Sequence, residues 1–302
     1  MSKFRVAALS FATEKVLALT VGECDEILRA KDAAGVHLVV SMPQLCSPCI
    51  RWARQAIDEG RFGELTLIRT RIGHQGAISG MFPPGSWFTD PAGAGGGTLV
   101  DLGCHAVYRA RYLGGEPVSA FAVMSNRTGA YPVEDNAVVL LELAGGATAV
   151  VEASWAQHGG PQGVAICGTR GWALLEYPGA TVSCGGEGFT GSREGTLEPA
   201  PLPEPWPSPI DQWVSAALDG AEPYIRPEWG RQLTEVMQAA YRSAAEKKGR
   251  SVAGRLLVLV AHREKSSLED TWWLARELLK ANRQWLPQLG TSAPSLAGGA
   301  RP

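Results

Sequence analysis

No stretch of the 302-residue chain approaches the roughly 20 consecutive apolar residues that a membrane span requires, so no spanning helix is expected. An excess of either charge sign is also missing: 28 Lys and Arg stand against 30 Asp and Glu, for a net charge of -2. Phosphate binding needs a concentrated basic face, which excludes nucleic acid as the main partner. The first residues, MSKFRVAALSFATEK, hold only a short apolar run between their charges. That is too little for a signal-peptide core, and the expected location is cytoplasmic. Metal-ligand spacing is absent as well. Cys46-Ser47-Pro48-Cys49 has the C-x-x-C spacing of a redox pair or of half a zinc site, but no second C-x-x-C or H-x-x-x-H completes it. The six cysteines therefore read as reduced, mostly buried thiols, with Pro48 opening a helix and no metal bound.

What is present describes a folded chain, 45% hydrophobic and 19% charged. Phe4 to Leu9 is an apolar, β-prone run. Thr20 followed by Glu23 is a capping box, and the helix it opens is expected to stop at Gly35. His37 to Met42 predicts a second buried strand, and Pro48 to Gly60 a second helix with Ile50, Ala53 and Ile57 turned inward. After Glu64 the texture changes to alternating runs at 65–73, 118–125, 137–143, 147–155, 163–168 and 172–179. Gly145-Gly146 and Thr169-Arg170-Gly171 fall between neighbouring runs as hairpin turns. Helices are expected from near Gly97, with Thr98 as its cap, and over 209–219, 228–246 and 268–285. The end, TSAPSLAGGARP, reads as a disordered tail.

The segment GGGTLVDLGCHAVYRARYLGG holds the clearest chemistry. Asp101 and His105 are four residues apart, so on a regular helix they share a face. A carboxylate there can orient an imidazole and raise its basicity, and histidine is the natural base for a hydroxyl near neutral pH. On spacing alone, a structural Asp–His pair capping or packing a helix is the favoured reading. His74 and Trp87 precede the glycine run and His158 follows a strand end; each also suits a turn or packing. His37 and His262 have no evident partner.

This segment resembles the G-G-G-x-L-x-D-x-G-x-H signature of the glucose–fructose oxidoreductase, inositol dehydrogenase and rhizopine-catabolism family (Gfo/Idh/MocA). Glu14-Lys15 followed by LALT resembles the family's E-K-P-L-A-L-T segment, and RPEWGRQLTEVMQAAYRSAAEKKGRSV resembles its last helix and exit strand. The similarity covers roughly Thr13 to Val252. It implies an oxidoreductase moving hydride between NAD or NADP and a sugar or polyol hydroxyl. His105 would be the base, Asp101 its support, and Lys15 the donor to the reacting oxygen. Glu14 and Lys15 would border the cofactor, with Trp87 and His74 at the substrate. The family's proline after the lysine is Val16 here, which removes a rigid φ that aims the lysine. The open sheet face would pair copies into a homo-oligomer.

The expected fold is α+β. Residues 1–62 read as a remnant of a Rossmann nucleotide-binding domain, 63–252 as an antiparallel open-faced sheet domain with flanking helices, and 253–302 as an extra helix and tail. The Rossmann core should show G-x-G-x-x-G after its first strand and an acidic residue about 20 positions on. Ser10 to Thr13 instead runs straight into Glu14-Lys15, and Gly93 to Gly97 lacks both the spacing and a preceding strand. Cofactor binding is accordingly expected to be impaired. The alternative is a non-catalytic descendant serving as an oligomerisation or small-molecule-binding module. The helix over 20–34 and the strand over 37–43 should also have one face bared.

Overall fold

A computed structural model describes residues 10–160, 162–176, 181–199 and 201–246. The described residues fall within one compact unit. The expected strand at Phe4 to Leu9, the helix over 268–285 and the tail lie outside the described residues.

The described residues begin with a small βαβ unit. Strand β1 (Phe11–Thr13) pairs in parallel with β2 (Leu38–Val40), and helix α1 (Val21–Ala34) connects them. The first described strand lies just after the apolar run at Phe4 to Leu9, in a segment for which the sequence suggested no strand. Helix α1 starts and stops as its residues dictate. Thr20 accepts from the Glu23 amide, the Glu23 carboxylate accepts from the Thr20 amide, and Gly35 closes the helix at φ 62°, a conformation open to glycine. Helix α2 (Pro48–Asp58) begins with proline in its first turn and buries Ile50 and Ala53, while Ile57 packs half-buried. Beside the βαβ unit lies a groove of about 610 Å³, walled by Phe11, Leu17, Ile27, Ala30, Val36 and Leu38. Phe11 is 57% exposed there, but Ile27 and Leu28 of α1 are half-buried and Leu38, Val39 and Val40 of β2 are buried, so the bare apolar face expected of this helix and strand is largely covered.

The remaining strands form one sheet: β3 (Leu65–Gly73), β4 (Pro117–Ser125), β5 (Asn136–Leu143), β6 (Thr148–Ser154), β7 (Gly163–Gly168), β8 (Trp172–Glu176), β9 (Val182–Gly185) and β10 (Thr196–Leu197). Their order is β10-β9-β8-β7-β3-β6-β5-β4. Both glycine-marked turns join antiparallel neighbours, β5 to β6 and β7 to β8. Strand β3 enters the middle, antiparallel to β7 and parallel to β6, the one parallel pairing among the described residues of this sheet.

Alternation along the strands separates two faces. Ile68 and Thr70 of β3, Val139 and Leu141 of β5, and Ile166 of β7 are buried on the inner face. Helix α3 (Cys104–Gly114) lies against that face, and the Thr70 hydroxyl donates to the Ala106 carbonyl at 3.1 Å. Helices α4 (Pro209–Asp219) and α5 (Glu228–Glu246) complete the unit, with the Ser243 hydroxyl of α5 accepting from the Ala122 amide of β4. One apolar core joins Val40, Met42 and Trp52 to the inner face of the sheet. The outer face keeps Phe121, Val123, Val138, Leu140, Trp172 and Leu174 exposed.

Candidate active site

The glycine run before α3 is shaped by close approach. A Cβ at Gly96 would meet the Tyr241 hydroxyl at 1.9 Å, and one at Gly97 would meet the Glu134 carbonyl oxygen at 2.1 Å. The chain then makes one π-helical turn, Leu99–Gly103, before entering α3. Such wide turns recur at functional sites because they displace side chains from regular helical register. Thr98 does not cap this turn: it is helical itself and its side chain caps nothing. The Glu134 carboxylate does that work, accepting from the Gly97 amide at 2.9 Å, the Leu99 amide at 3.1 Å and the Tyr241 hydroxyl at 2.7 Å. Burial and the adjacent Glu134 charge push the Tyr241 phenol far above its usual range, so it stays a neutral donor.

The turn delivers Asp101 to a half-buried cluster. The Lys15 ammonium donates to the Asp101 carbonyl oxygen at 2.8 Å and stands 3.7 Å from its carboxylate, with the two side chains 12% and 19% exposed. Val16 thus replaces proline while Lys15 remains held; the Lys15–Val16 peptide is cis. Trp155, fully buried at the end of β6, donates its indole N–H to the Asp101 carboxylate at 3.0 Å. The Cys104 thiol donates to the Asp101 carbonyl oxygen at 3.1 Å, and burial drives that thiol up to about 12.

His105 bonds elsewhere. Its Nδ1 lies 2.7 Å from the Tyr108 hydroxyl, the two rings meeting edge-on at 75°. The expected Asp101–His105 hydrogen bond is therefore replaced by separate anchors, Trp155 and Lys15 for the carboxylate and Tyr108 for the imidazole. The π-helical turn removes the regular face-sharing that the four-residue spacing assumed. Burial, then the positive charges of Lys15 and Arg109, lower His105 from its usual value to about 3. The ring is neutral at pH 7.

The other candidates sit further out. Glu14 is exposed just after β1. His74 accepts from the Gly76 amide through Nδ1 at 2.9 Å, a local turn contact. Trp87 is 61% exposed and stacks on Phe88 at 4.2 Å. Phe82 packs on both Phe88 and Trp155, so an aromatic series runs from Trp87 toward Asp101. His158 bonds Gln75 at 2.9 Å. Trp155, Tyr108 and Glu134 were not singled out in the sequence. A buried indole at a strand end needs an acceptor, which is the signal that Trp155 offered. Two cavities flank the cluster. One of about 310 Å³ includes Val16, Gly95, Val100 and Tyr241; one of about 330 Å³ includes Gln44, Ser47, Arg109 and Glu176. Among the described residues no His, Cys, Asp and Glu group is arranged to hold a metal ion, and no helix is long and apolar enough to cross a membrane.

A dinucleotide would need a pyrophosphate cradle, and the described residues do not fit one. The loop from Glu14 to Thr20 contains no glycine, and the positive end of α1 is already closed by its own Glu23 carboxylate. The carboxyl ends of the parallel pair β1–β2, where open α/β sheets bind ligands, nonetheless deliver Lys15 to the cluster.

The relatives of this chain are named dehydrogenases and oxidoreductases, and it is an enzyme by resemblance to them. Residues 50–174 match the GFO/IDH/MocA C-terminal domain. It is 26% identical over 261 residues to inositol 2-dehydrogenase of Rhizobium meliloti, covering 84% of this chain and 76% of that protein. It is similar to the aldose-aldose oxidoreductase of Caulobacter crescentus complexed with glycerol, with a TM-score of 0.68, 26% identity, and coverage of 81% of this chain and 72% of the other. GenD2 from gentamicin A biosynthesis, solved in complex with NAD, aligns with a TM-score of 0.65 and 28% identity over 80% of this chain and 71% of its own.

Proposed function

We propose that the cluster is the acid/base half of a sugar or polyol oxidoreductase site, in which His105 exchanges a proton with the reacting oxygen. The observation that carries this reading is the convergence of Lys15 on Asp101, beside an imidazole held neutral. A neutral ring can take or return a proton at a hydroxyl. The Lys15 charge, which lowers the ring's basicity, would also stabilise an oxyanion on the substrate. Asp101 holds the ammonium in place, and Trp155 keeps Asp101 in place. Relatives that act on inositol and aldoses, and a neighbour that holds NAD, support a nicotinamide partner and a polyhydroxylated substrate.

The test is cofactor binding. NADH and NADPH are titrated into the purified chain while nicotinamide fluorescence is followed; the oxidoreductase reading expects saturation, and no saturation at millimolar cofactor would sink it for this polypeptide. A second reading, a non-catalytic module, is favoured by the glycine-free loop and the self-capped α1. Residues 1–62 are then a reduced Rossmann domain whose phosphate-binding elements have gone. Under either reading the exposed Phe121, Val123, Leu140 and Trp172 of the outer sheet face would pair with a second copy. A clean monomer in size-exclusion chromatography counts against that pairing.

A further inference from the structure

His105 has two ring nitrogens, and the structure constrains which one carries the hydrogen. The Tyr108 hydroxyl lies 2.7 Å from His105 Nδ1 and 3.3 Å from the backbone nitrogen of Gln44. The Gln44 N–H can only donate, so the phenol oxygen accepts there. A phenol owns a single hydrogen, and Nδ1 is its remaining partner at bonding distance. A neutral imidazole that accepts at Nδ1 carries its hydrogen on Nε2. The reverse wiring, with Nδ1–H donating to Tyr108, would aim two donors at one oxygen. It would leave the hydroxyl hydrogen only the nearby thiols of Cys46 and Cys104, which accept weakly. Tyr108 is 3% exposed, so an unmet hydrogen there is not rescued by water.

We infer that Tyr108 is a positioning residue that sets the tautomer of His105, holding the hydrogen on Nε2 so that the ring meets a ligand oxygen as a donor. This deepens the oxidoreductase reading and rests on it for its catalytic meaning. Nε2 has no hydrogen-bond partner among the described residues, so it is the nitrogen left to face a ligand. Lys15 and Arg109 supply positive charge around the ring, and neither invites a second proton. A ring wired this way binds an oxygen that only accepts, a carbonyl, without rearrangement. To receive a proton from a hydroxyl, the ring must first move its hydrogen from Nε2 to Nδ1, and Tyr108 must turn its own hydrogen away. The resting site therefore prefers the carbonyl member of a carbonyl–alcohol pair.

The experiment is nitrogen-15 NMR on the full chain labelled at histidine, with His105 assigned by the signal lost in His105→Gln. The expected wild-type spectrum at neutral pH shows His105 neutral, protonated at Nε2, with Nδ1 shifted as a hydrogen-bond acceptor. In Tyr108→Phe the ratio of Nε2–H to Nδ1–H forms should fall roughly fivefold, the worth of one ordinary hydrogen bond. A wild-type His105 protonated at Nδ1, or an unchanged ratio in folded Tyr108→Phe, overturns the inference. If Tyr108→Phe fails to fold, the wild-type spectrum decides alone. The spectrum needs neither cofactor nor substrate, so a chain that never turns over still tests the wiring, and turnover with the opposite tautomer defeats the wiring without touching the oxidoreductase reading.

Discussion

Trp155 and Asp101 are joined by a hydrogen bond of 3.0 Å from a fully buried indole to a carboxylate that also faces Lys15. The bond fixes the carboxylate from the sheet side while the lysine holds it from the βαβ unit. Trp155→Phe keeps most of the ring volume and removes the donor. A hydrogen bond to a charged group contributes about 2 kcal/mol. Urea unfolding of the variant should show a loss of that order, and an unchanged midpoint would mean the carboxylate finds another donor.

Lys15 is the second anchor, and its charge reaches His105. After burial it is the next cause that lowers the imidazole from its usual value to about 3. Lys15→Met keeps the stem and removes the charge. The His105 pKa should move up, read from its proton NMR titration beside the wild-type chain. A pKa that stays put would assign the depression to burial and Arg109 alone.

Much of this arrangement was written in local patterns. The Thr20–Glu23 capping box, the Gly35 stop, Pro48 at a helix start and the two glycine-marked hairpins each act within a few residues, and each appears where its chemistry predicts. The site was legible only in its cast. Lys15, Asp101 and His105 stood out by resemblance, yet their partners did not: Trp155 and Glu134 arrive through tertiary contacts, while Tyr108 lies one helical turn from His105 on α3, a local spacing shared by many helical pairs that bond nothing. The π-helical turn has no sequence signature comparable to a capping box, so the four-residue spacing suggested a shared face that the backbone does not keep. Likewise Thr98 looked like a cap by residue type, while a carboxylate 36 positions away in sequence from it does the capping. Nothing local could have paired β3 in parallel with β6 either, since that register depends on the whole sheet.

Glu134 holds the glycine turn by accepting from two backbone amides and one phenol. Glu134→Ala strands all three donors near the start of the π-helical turn. Each unmet buried donor costs about 1 kcal/mol or more, so a loss of about 3 kcal/mol is expected in chemical denaturation. Tyr241→Phe leaves the amides served and should cost about 1 kcal/mol. If the two variants proved equally damaging, the amide contacts would carry little of the turn's stability.

The depressed His105 also makes a statement about acid. In the unfolded chain an imidazole titrates near its usual value of about 6.5, while in the folded chain it titrates at about 3. Between those values the unfolded chain holds a proton that the folded one does not, so stability falls as pH falls, at about 1.4 kcal/mol per pH unit from this group. Above about pH 6.5 both states are neutral at this ring and its contribution is flat. His105→Gln removes the titrating group while keeping a polar side chain of similar reach. Urea unfolding across pH 7 to pH 4 should therefore show a shallower decline for the variant than for the parent, with the curves parallel above neutrality. Carboxylates paired in the folded state, Asp58 with Arg54 among them, add acid sensitivity of the same sign in both proteins, and the difference between the curves isolates His105. Identical slopes in the two proteins would mean that the folded imidazole titrates near its usual value and that the cluster around Lys15 is wetter than its burial indicates.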